Sequence, residues 1–274
     1  MLQLLTNQDA WKTASQNGSR MCNAYSWDTH AQEYLADIEW VAKPCAPIAI
    51  QKKVPHVNRM LVCDIDNTLT GDRPALQKLK EWLTFNPATA FGIATGRSLQ
   101  SAIDIIKRWD IPTPQFLITS VGSEIYWVRD DKFRELKRDH GWPRLGSSDW
   151  NPNGIETVLK GLDWLTPQAP REQRQFKRSY FLEEMAKCAD VRSALERSGH
   201  AFELIYSHGR FLDLLPKGVS KGHAIHFVAQ QLDIDPAQIW AAGDSGNDVH
   251  MLEMVGHPII VGNHTSELSH LRSL

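Results

Sequence analysis

The chain has 274 residues, enough for one large domain or two modest ones with a real core. Hydrophobic and charged fractions of 42% and 23% are those of an ordinary soluble globular protein, and 30 basic against 32 acidic residues leave a formal charge of -2. That balance gives no reason to expect nucleic acid or an anionic membrane as a partner. No stretch approaches the roughly 20 apolar residues that cross a bilayer, and the start, "MLQLLTNQDAWK", lacks the basic n-region of a secretory signal.

Residues 1–56 are rich in Asn, Gln and Trp, and "KPCAPIAIQKKVPHVN" (43–58), at their end, reads as a linker. From residue 57 short apolar runs alternate with helical periodicity. "MLVCD" (60–64), "FGIAT" (91–95), "FLITS" (116–120) and "IWAAGD" (239–244) read as strands buried on both faces. Leu76, Leu79 and Leu83 share one helical face; Ala102, Ile105, Ile106 and Trp109 share another, with Ser98 as a candidate N-cap. Ala224, Phe227, Val228 and Leu232 mark a third helix. Strands alternating with helices predict an α/β fold with a doubly wound, parallel, Rossmann-like sheet.

Some 120 residues separate "FLITS" from "IWAAGD", far more than one crossover needs. Within them "NGIETVLKGLDWL" and "DVRSALERSGH" read as helices, "RSYFLEE" as a strand, and "AFELIYSHGRFLDLLP" as a hairpin turning at His208–Gly209. The spacing predicts an inserted α+β cap over 137–211, flanked by core segments 57–136 and 212–274. Hinges are expected near 136–140 and 209–212.

Cys22, Cys45, Cys63 and Cys188 form no C-x-x-C pair, so a disulfide framework is not expected and a reduced cytosol is the expected compartment. Cys63 lies in an apolar run and reads as a small core residue. His223 and His226 sit three apart on a helix without a third ligand nearby in sequence, which does not make a zinc site.

Ligands in open parallel sheets gather at the carboxyl ends of the strands. Applied here, that rule collects Asp64 and Asp66 after the first strand and Thr95, Gly96 and Arg97 after the second. It adds Asp244 with Ser245, Gly246, Asn247 and Asp248 after a later strand, and Lys221 at the start of the helix before it. Carboxylates so crowded repel one another, and a divalent cation is their natural neutraliser. All-oxygen ligands favour Mg²⁺ over zinc or copper. A lysine, a threonine hydroxyl and main-chain N–H groups beside a glycine form a phosphate receptacle. Together these make a phosphoryl-transfer site.

"DIDNT" (64–68), "ATGR" (94–97), "SKG" (220–222) and "GDSGND" (243–248) resemble, in order and spacing, the four motifs of the haloacid-dehalogenase-like phosphatases. The resemblance implies Asp64 as nucleophile and Asp66 as acid and base, with the Asp66 main-chain carbonyl on Mg²⁺. It implies Thr95, Gly96, Arg97 and Lys221 as phosphate-binding residues. Asp64, Asp66, Asp244, Asn247 and Asp248 are then the metal-site residues, the last two orienting the ligands. Thr68 is expected to shape the turn, and Asp72 stands between a direct role and a structural one.

"TSVGSEIYW", "REQRQFKRSYFLE" and "LDLLPKGVSKGHAI" resemble more narrowly the sucrose-6-phosphate phosphatases of cyanobacteria and plants. By that likeness Gly122, Ser123 and Glu124 face the active-site opening and Lys177 reaches from the cap toward sugar hydroxyls, where nearby aromatic faces suit a disaccharide. Segment 10–35 resembles the closing helices of the sucrose-phosphate synthase glycosyltransferase domain. The chain is then the tail of a synthase–phosphatase fusion or a separate gene that kept a remnant, without synthase activity of its own but with the synthase as a possible associate. Two alternatives stand beside a sucrose-6-phosphate phosphatase: a non-catalytic docking module of the synthase, and a phosphatase of another sugar phosphate, such as mannosylglycerate or trehalose phosphates.

Overall fold

The computed structural model describes residues 8, 9, 12, 57–142 and 149–273. The expectations for the linker and the synthase-like segment 10–35 therefore lie outside the described residues, apart from residue 12.

The apolar run expected as the first strand forms β1 (Arg59–Cys63), whose side chains alternate between two cores. Met60 and Val62 pack on one face of the sheet and Leu61 and Cys63 on the other. A strand with both faces covered needs apolar residues at every position. Helix α1 (Arg73–Phe85) follows, N-capped by Asp72, whose Oδ1 accepts from Ala75 N–H at 2.9 Å. Asp72 thus acts as a helix cap, the structural one of its two expected roles. Then come β2 (Thr89–Ala94), α2 (Leu99–Trp109), β3 (Phe116–Thr119), β4 (Glu124–Val128) and β5 (Leu136–Arg138). Ser98 precedes α2 but its side chain makes no capping bond.

The cap follows, with α3 (Pro152–Leu159), β6 (Thr166–Pro167), β7 (Arg178–Phe181), α4 (Cys188–Arg197), β8 (Glu203–Ser207) and β9 (Phe211–Leu215). The core resumes with α5 (Lys221–Gln231), β10 (Ile239–Gly243), α6 (Val249–Glu253) and β11 (His257–Ile260). The core sheet has the order β11-β10-β1-β2-β3-β4-β5, parallel from β11 to β3 and antiparallel through β4 and β5. Leu76, Ala102, Ile103 and Ile106 of α1 and α2 cover one face; Ala224, Ile225, Val228, Met251 and Leu252 of α5 and α6 cover the other.

The cap sheet, β6-β7-β9-β8, is antiparallel and backed by α3 and α4 through Ile155, Leu159, Val191 and Leu195 against Tyr180, Leu212 and Leu214. Its period-2 alternation turns Phe181, Phe211 and Asp213 to the opposite face, toward the core.

Two boundaries differ from expectation. The second sheet includes β9, which ends at Leu215, four residues past the expected cap limit of 211, while His208–Gly209 forms the tip of the hairpin expected there. Both tip residues take left-handed backbone (φ 52° and 65°), the geometry of a tight two-residue turn. The helix expected over "NGIETVLKGLDWL" stops at Leu159, where the Gly161 and Leu162 N–H groups bond to Val158 and Leu159 in short turns. Among the described residues no helix is long and apolar enough to cross a membrane.

Candidate active site

Asp64 follows β1 directly, and its N–H donates to Ala242 O at 2.9 Å, which ties the strand end to β10. The chain then turns sharply. Asn67 takes left-handed backbone (φ 55°), which Asn tolerates, and sends Nδ2 to Asp244 Oδ2 at 3.1 Å. The turn's hydroxyl is Thr70, which donates to Ile65 O and accepts from Asn67 N–H. Thr68, expected in that role, leaves its hydroxyl without a partner.

Lys221 is fully buried at the start of α5. Its Nζ donates to Asp64 Oδ1 at 2.8 Å, Asp248 Oδ1 at 2.6 Å and Asn247 Oδ1 at 2.6 Å, so each of its three protons has an acceptor. Burial alone would lower the Lys221 pKa, but Asp248 and Asp64 overrule it and hold the ammonium above its usual range. Burial pushes the Asp64 carboxyl up to about 7, against the pull of Lys221, with Asp248 and Asp66 adding to the rise. Burial raises Asp244 as well.

Asp64, Asp244 and Asp248 each place a carboxylate oxygen within 4.8 Å of the others. Asp248 is largely committed: Oδ1 takes Lys221, and Oδ2 takes the N–H groups of Asp244 and Ser245 at 3.0 and 3.1 Å. Asp244 Oδ1, by contrast, is buried with no hydrogen-bond partner. An orphaned buried carboxylate oxygen beside two more acids is the environment a hard divalent cation satisfies. The residues present fit a metal, with Asp64 and Asp244 offering ligands and Asp248 and Asn247 holding the loop.

Asp66 points its carboxylate elsewhere, into a two-pronged pair with Arg97: Nε to Oδ2 and Nη2 to Oδ1, both at 2.8 Å. That hydrogen bond, above all, raises the Arg97 pKa. The Asp66 side chain is thus not among the clustered carboxylates, which leaves only its main chain for a metal. Thr95 is buried after β2, its Oγ1 accepting from Arg97 N–H at 3.2 Å.

Gly122, Ser123 and Glu124 do not face the opening. The turn after β3 carries Ser120 and Val121 in left-handed backbone, unusual for a β-branched residue, and braces the Thr95–Arg97 loop. Ser120 N–H donates to Arg97 O at 2.8 Å and Val121 N–H to Thr95 O at 3.1 Å. Gly122 (φ 100°) lies so close to Ser220 and Lys221 that a Cβ would sit 2.3 Å from Ser220 C, so only glycine fits. Glu124 is buried and saturated. Arg174 of the cap meets Oε1 at 2.9 Å through Nη2, and Thr119, Ser120 and Tyr126 hydroxyls reach Oε2 at 3.3–3.4 Å. The expected sugar contact is instead an ion pair between core and cap.

Lys177 does reach the site. It is buried, pairs with Asp213 Oδ1 at 3.4 Å, and lines a cavity of about 690 Å³ together with Asp64, Asp66, Gly96, Arg97 and Asn247. Asp213 also accepts from Ser179 Oγ at 2.5 Å. The sequence reading missed Asp213, although "FLDLL" carried the signal: an acid between buried leucines, on the strand face opposite to them. Phe181 and Phe211, with ring centroids 5.9 Å apart, supply aromatic wall.

With that geometry, comparisons with known proteins become decisive. A family model described as sucrose-6F-phosphate phosphohydrolase matches residues 57–273. The chain belongs to that family. The sucrose-phosphatase of Synechocystis sp. PCC6803, solved with sucrose and phosphate, superposes with a TM-score of 0.72 at 33% identity, over 79% of this chain and 88% of that one. The mannosylfructose-phosphate phosphatase of Agrobacterium fabrum is 29% identical over 77% of this chain and 85% of its own length. A probable sucrose-phosphatase of Arabidopsis thaliana is 28% identical over 82% of this chain. The chain spans about half the length of that plant relative, 55%. A haloacid dehalogenase-like hydrolase of Bacillus subtilis shares the fold (TM-score 0.55, 23% identity, 81% of this chain and 87% of that one). The α/β architecture expected from the strand–helix alternation is therefore that of the haloacid dehalogenase-like hydrolases.

Proposed function

We propose that this chain is a Mg²⁺-dependent phosphatase of a fructosyl disaccharide phosphate, sucrose-6F-phosphate foremost, working through an aspartyl-phosphate on Asp64. One observation carries the reading. A single cavity joins Asp64 and Asp66 on the core side to Lys177, Asp213, Phe181 and Phe211 on the cap side. Its volume of about 690 Å³ is within the range of small-molecule sites. A phosphate seated at Asp64 would leave its sugar against charged hydroxyl partners and aromatic faces.

Asp64 Oδ attacks phosphorus as the bond to the sugar oxygen breaks, and Asp66, once released from Arg97 and protonated, delivers a proton to that leaving oxygen. In the second half Asp66 takes a proton from water, whose oxygen attacks the phosphoryl group and returns Asp64 as a carboxylate with release of phosphate. Thr95, the Gly96 N–H and Lys221, which would give up its bond to Asn247 or Asp64, would hold the phosphoryl oxygens. Lys221 also offsets repulsion between Asp64 and the incoming dianion. Asp64, the Asp66 carbonyl and Asp244 would hold Mg²⁺, which supplies further neutralisation of charge. Lys177 and Asp213 would take sugar hydroxyls as further partners beside their mutual contact, and an analogue lacking those hydroxyls would forgo that binding.

The Agrobacterium relative favours a second substrate, mannosylfructose phosphate, which shares the fructosyl disaccharide phosphate class. The docking-module alternative is disfavoured because Lys221, Asp64, Asp244 and Asp248 are all in place. An association with sucrose-phosphate synthase would be additional to catalysis, and co-sedimentation with that enzyme tests it.

Phosphate release from a sugar-phosphate panel, with Mg²⁺ and with chelator, tests the proposal. Selective, Mg²⁺-dependent turnover of one or both disaccharide phosphates is expected; preference for a trehalose or mannosylglycerate phosphate would overturn the substrate, and no turnover at all the activity. The pH dependence is a further expectation. Asp64 holds its proton up to about pH 7 in the free protein, so Mg²⁺ competes with a proton below that pH and not above it. Half-activation should need about tenfold more Mg²⁺ at pH 6 than at pH 8, as one-proton competition dictates.

A further inference from the structure

The segment after β11 contacts the Asp66 turn, the Asp244–Asp248 loop and the β8–β9 hairpin. Its register is fixed by Leu268 and Leu271, both buried in the core. Asn263 Nδ2 donates to Asn67 O at 2.9 Å, in the turn that carries Asp66. Thr265 N–H donates to Asp244 O at 2.7 Å. Glu267 then accepts from Gly246 N–H at 2.7 Å, in the loop between Asp244 and Asp248.

The same carboxylate reaches the cap. It accepts from Gly209 N–H at 2.9 Å through Oε1 and from His208 N–H at 3.2 Å through Oε2, while Thr265 Oγ1 donates at 3.1 Å. His208 and Gly209 are the tip of the β8–β9 hairpin, and their left-handed backbone turns both N–H groups to one side. Successive N–H groups in that conformation form a small concave receptor for an anionic oxygen. Ser207, His208 and Phe211 of this hairpin line the reaction cavity. The approach is close: a Cβ on Gly246 would sit 2.2 Å from Tyr206 O and 2.9 Å from Glu267 Oε2. Glycine at 246 is therefore required by the cap strand and the carboxylate together.

We propose that Glu267 is a positioning residue that clasps the cap hairpin to the loop carrying Asp244 and Asp248, so that the sugar-side wall and the phosphate-side floor keep one register. The role rests on the sugar-phosphatase reading above. It predicts a division between substrates. A disaccharide phosphate uses both walls and depends on the clasp; a small aryl phosphate uses only the floor.

The test compares the wild type with Glu267→Ala and Glu267→Gln. By amide hydrogen exchange, the Ala variant is expected to lose protection at His208, Gly209 and Gly246 together, with Gln, which keeps an acceptor oxygen, intermediate. Kinetically, the Ala variant should raise KM for the disaccharide phosphate about tenfold or more, while kcat/KM for p-nitrophenyl phosphate stays within about threefold and half-activation by Mg²⁺ is unchanged. Wild-type exchange rates at 208 and 209 in the Ala variant would overturn the clasp, as would a parallel loss with both substrates, which a merely structural role would produce. If Ala fails to fold, the same two readouts on Gln decide. If wild-type enzyme cleaves no disaccharide phosphate, the substrate reading fails separately, and the exchange measurement alone judges the clasp.

Discussion

Replacing Asp64 with Asn is expected to reduce turnover by at least about a thousandfold while leaving the metal-free fold no less stable than the wild type. The first part follows from the proposed role of Asp64 as nucleophile. The second follows from the energetics of the buried site. In the folded chain the Asp64 carboxyl sits at about 7, against an unperturbed 3.8. A raised acid pKa means that the fold prefers the protonated group. The associated stability is full below the unfolded value and is lost as pH climbs from about 4 toward 7. At pH 8 the wild-type apo protein therefore carries an ionised carboxylate that burial and the neighbours Asp248 and Asp66 disfavour. Asn is neutral at every pH and can still accept from Lys221. The variant's melting temperature without metal should match or exceed wild type at pH 8 and approach it at pH 5. Added Mg²⁺ should reverse the order, stabilising the wild type more, because the carboxylate is the better ligand. Scanning calorimetry at both pH values, with Mg²⁺ and with chelator, checks all three comparisons. A large fall in the variant's metal-free melting temperature at pH 8 would contradict the assignment of Asp64 as an electrostatic burden in the resting site.

The parts of this site legible in the sequence share a physical reason. Asp64, Thr95 and Asp244 terminate strands whose apolar runs are long enough to read, and a parallel sheet brings strand ends to one rim. Lys221 was legible because it opens a helix behind Ser220, whose Oγ accepts from His223 N–H at 3.3 Å. In each case local pattern and topology point to the same place.

What the sequence did not disclose depends on contacts between segments distant along the chain. Glu124 reads as a polar residue beside a turn, and nothing nearby foretells Arg174, fifty positions on, closing over it. Asp66 and Arg97 were both recognised, but their pairing was not, since either side chain has other places to go. The cap boundary at Leu215 rather than 211 is a register fact. "FLDLL" belongs to whichever sheet it pairs with, and beyond the hairpin strand Glu203–Ser207 its second partner is Arg178–Phe181, thirty residues back. Glu267 lies in a stretch without strong periodicity, where only the three N–H groups converging on it give it meaning.

Lys221→Met should behave in the opposite way to Asp64→Asn, losing activity and stability together. Met has nearly the length and volume of lysine, so the packing around a fully buried side chain changes little. The electrostatics change completely. Asp64 and Asp248 lose the only cation to which either is hydrogen-bonded among the described residues, and two buried acids are left facing each other. Removing one partner from a buried ion pair costs about 3–5 kcal/mol, because an uncompensated charge remains out of water. The metal-free variant should therefore melt well below wild type at pH 8, and the deficit should shrink as pH falls and Asp64 takes up a proton. Mg²⁺ should restore part of the stability, since a cation near Asp64 and Asp244 replaces some of the missing charge. It should not restore turnover, because the phosphoryl group still lacks the ammonium. The double variant Asp64→Asn/Lys221→Met isolates the coupling. If Asp64 and Lys221 interact as their 2.8 Å contact indicates, the double variant is more stable than the two single changes sum to. Strict additivity across that cycle would mean that Lys221 holds Asp248 and Asn247 alone, and that Asp64 is positioned by the turn rather than by the lysine.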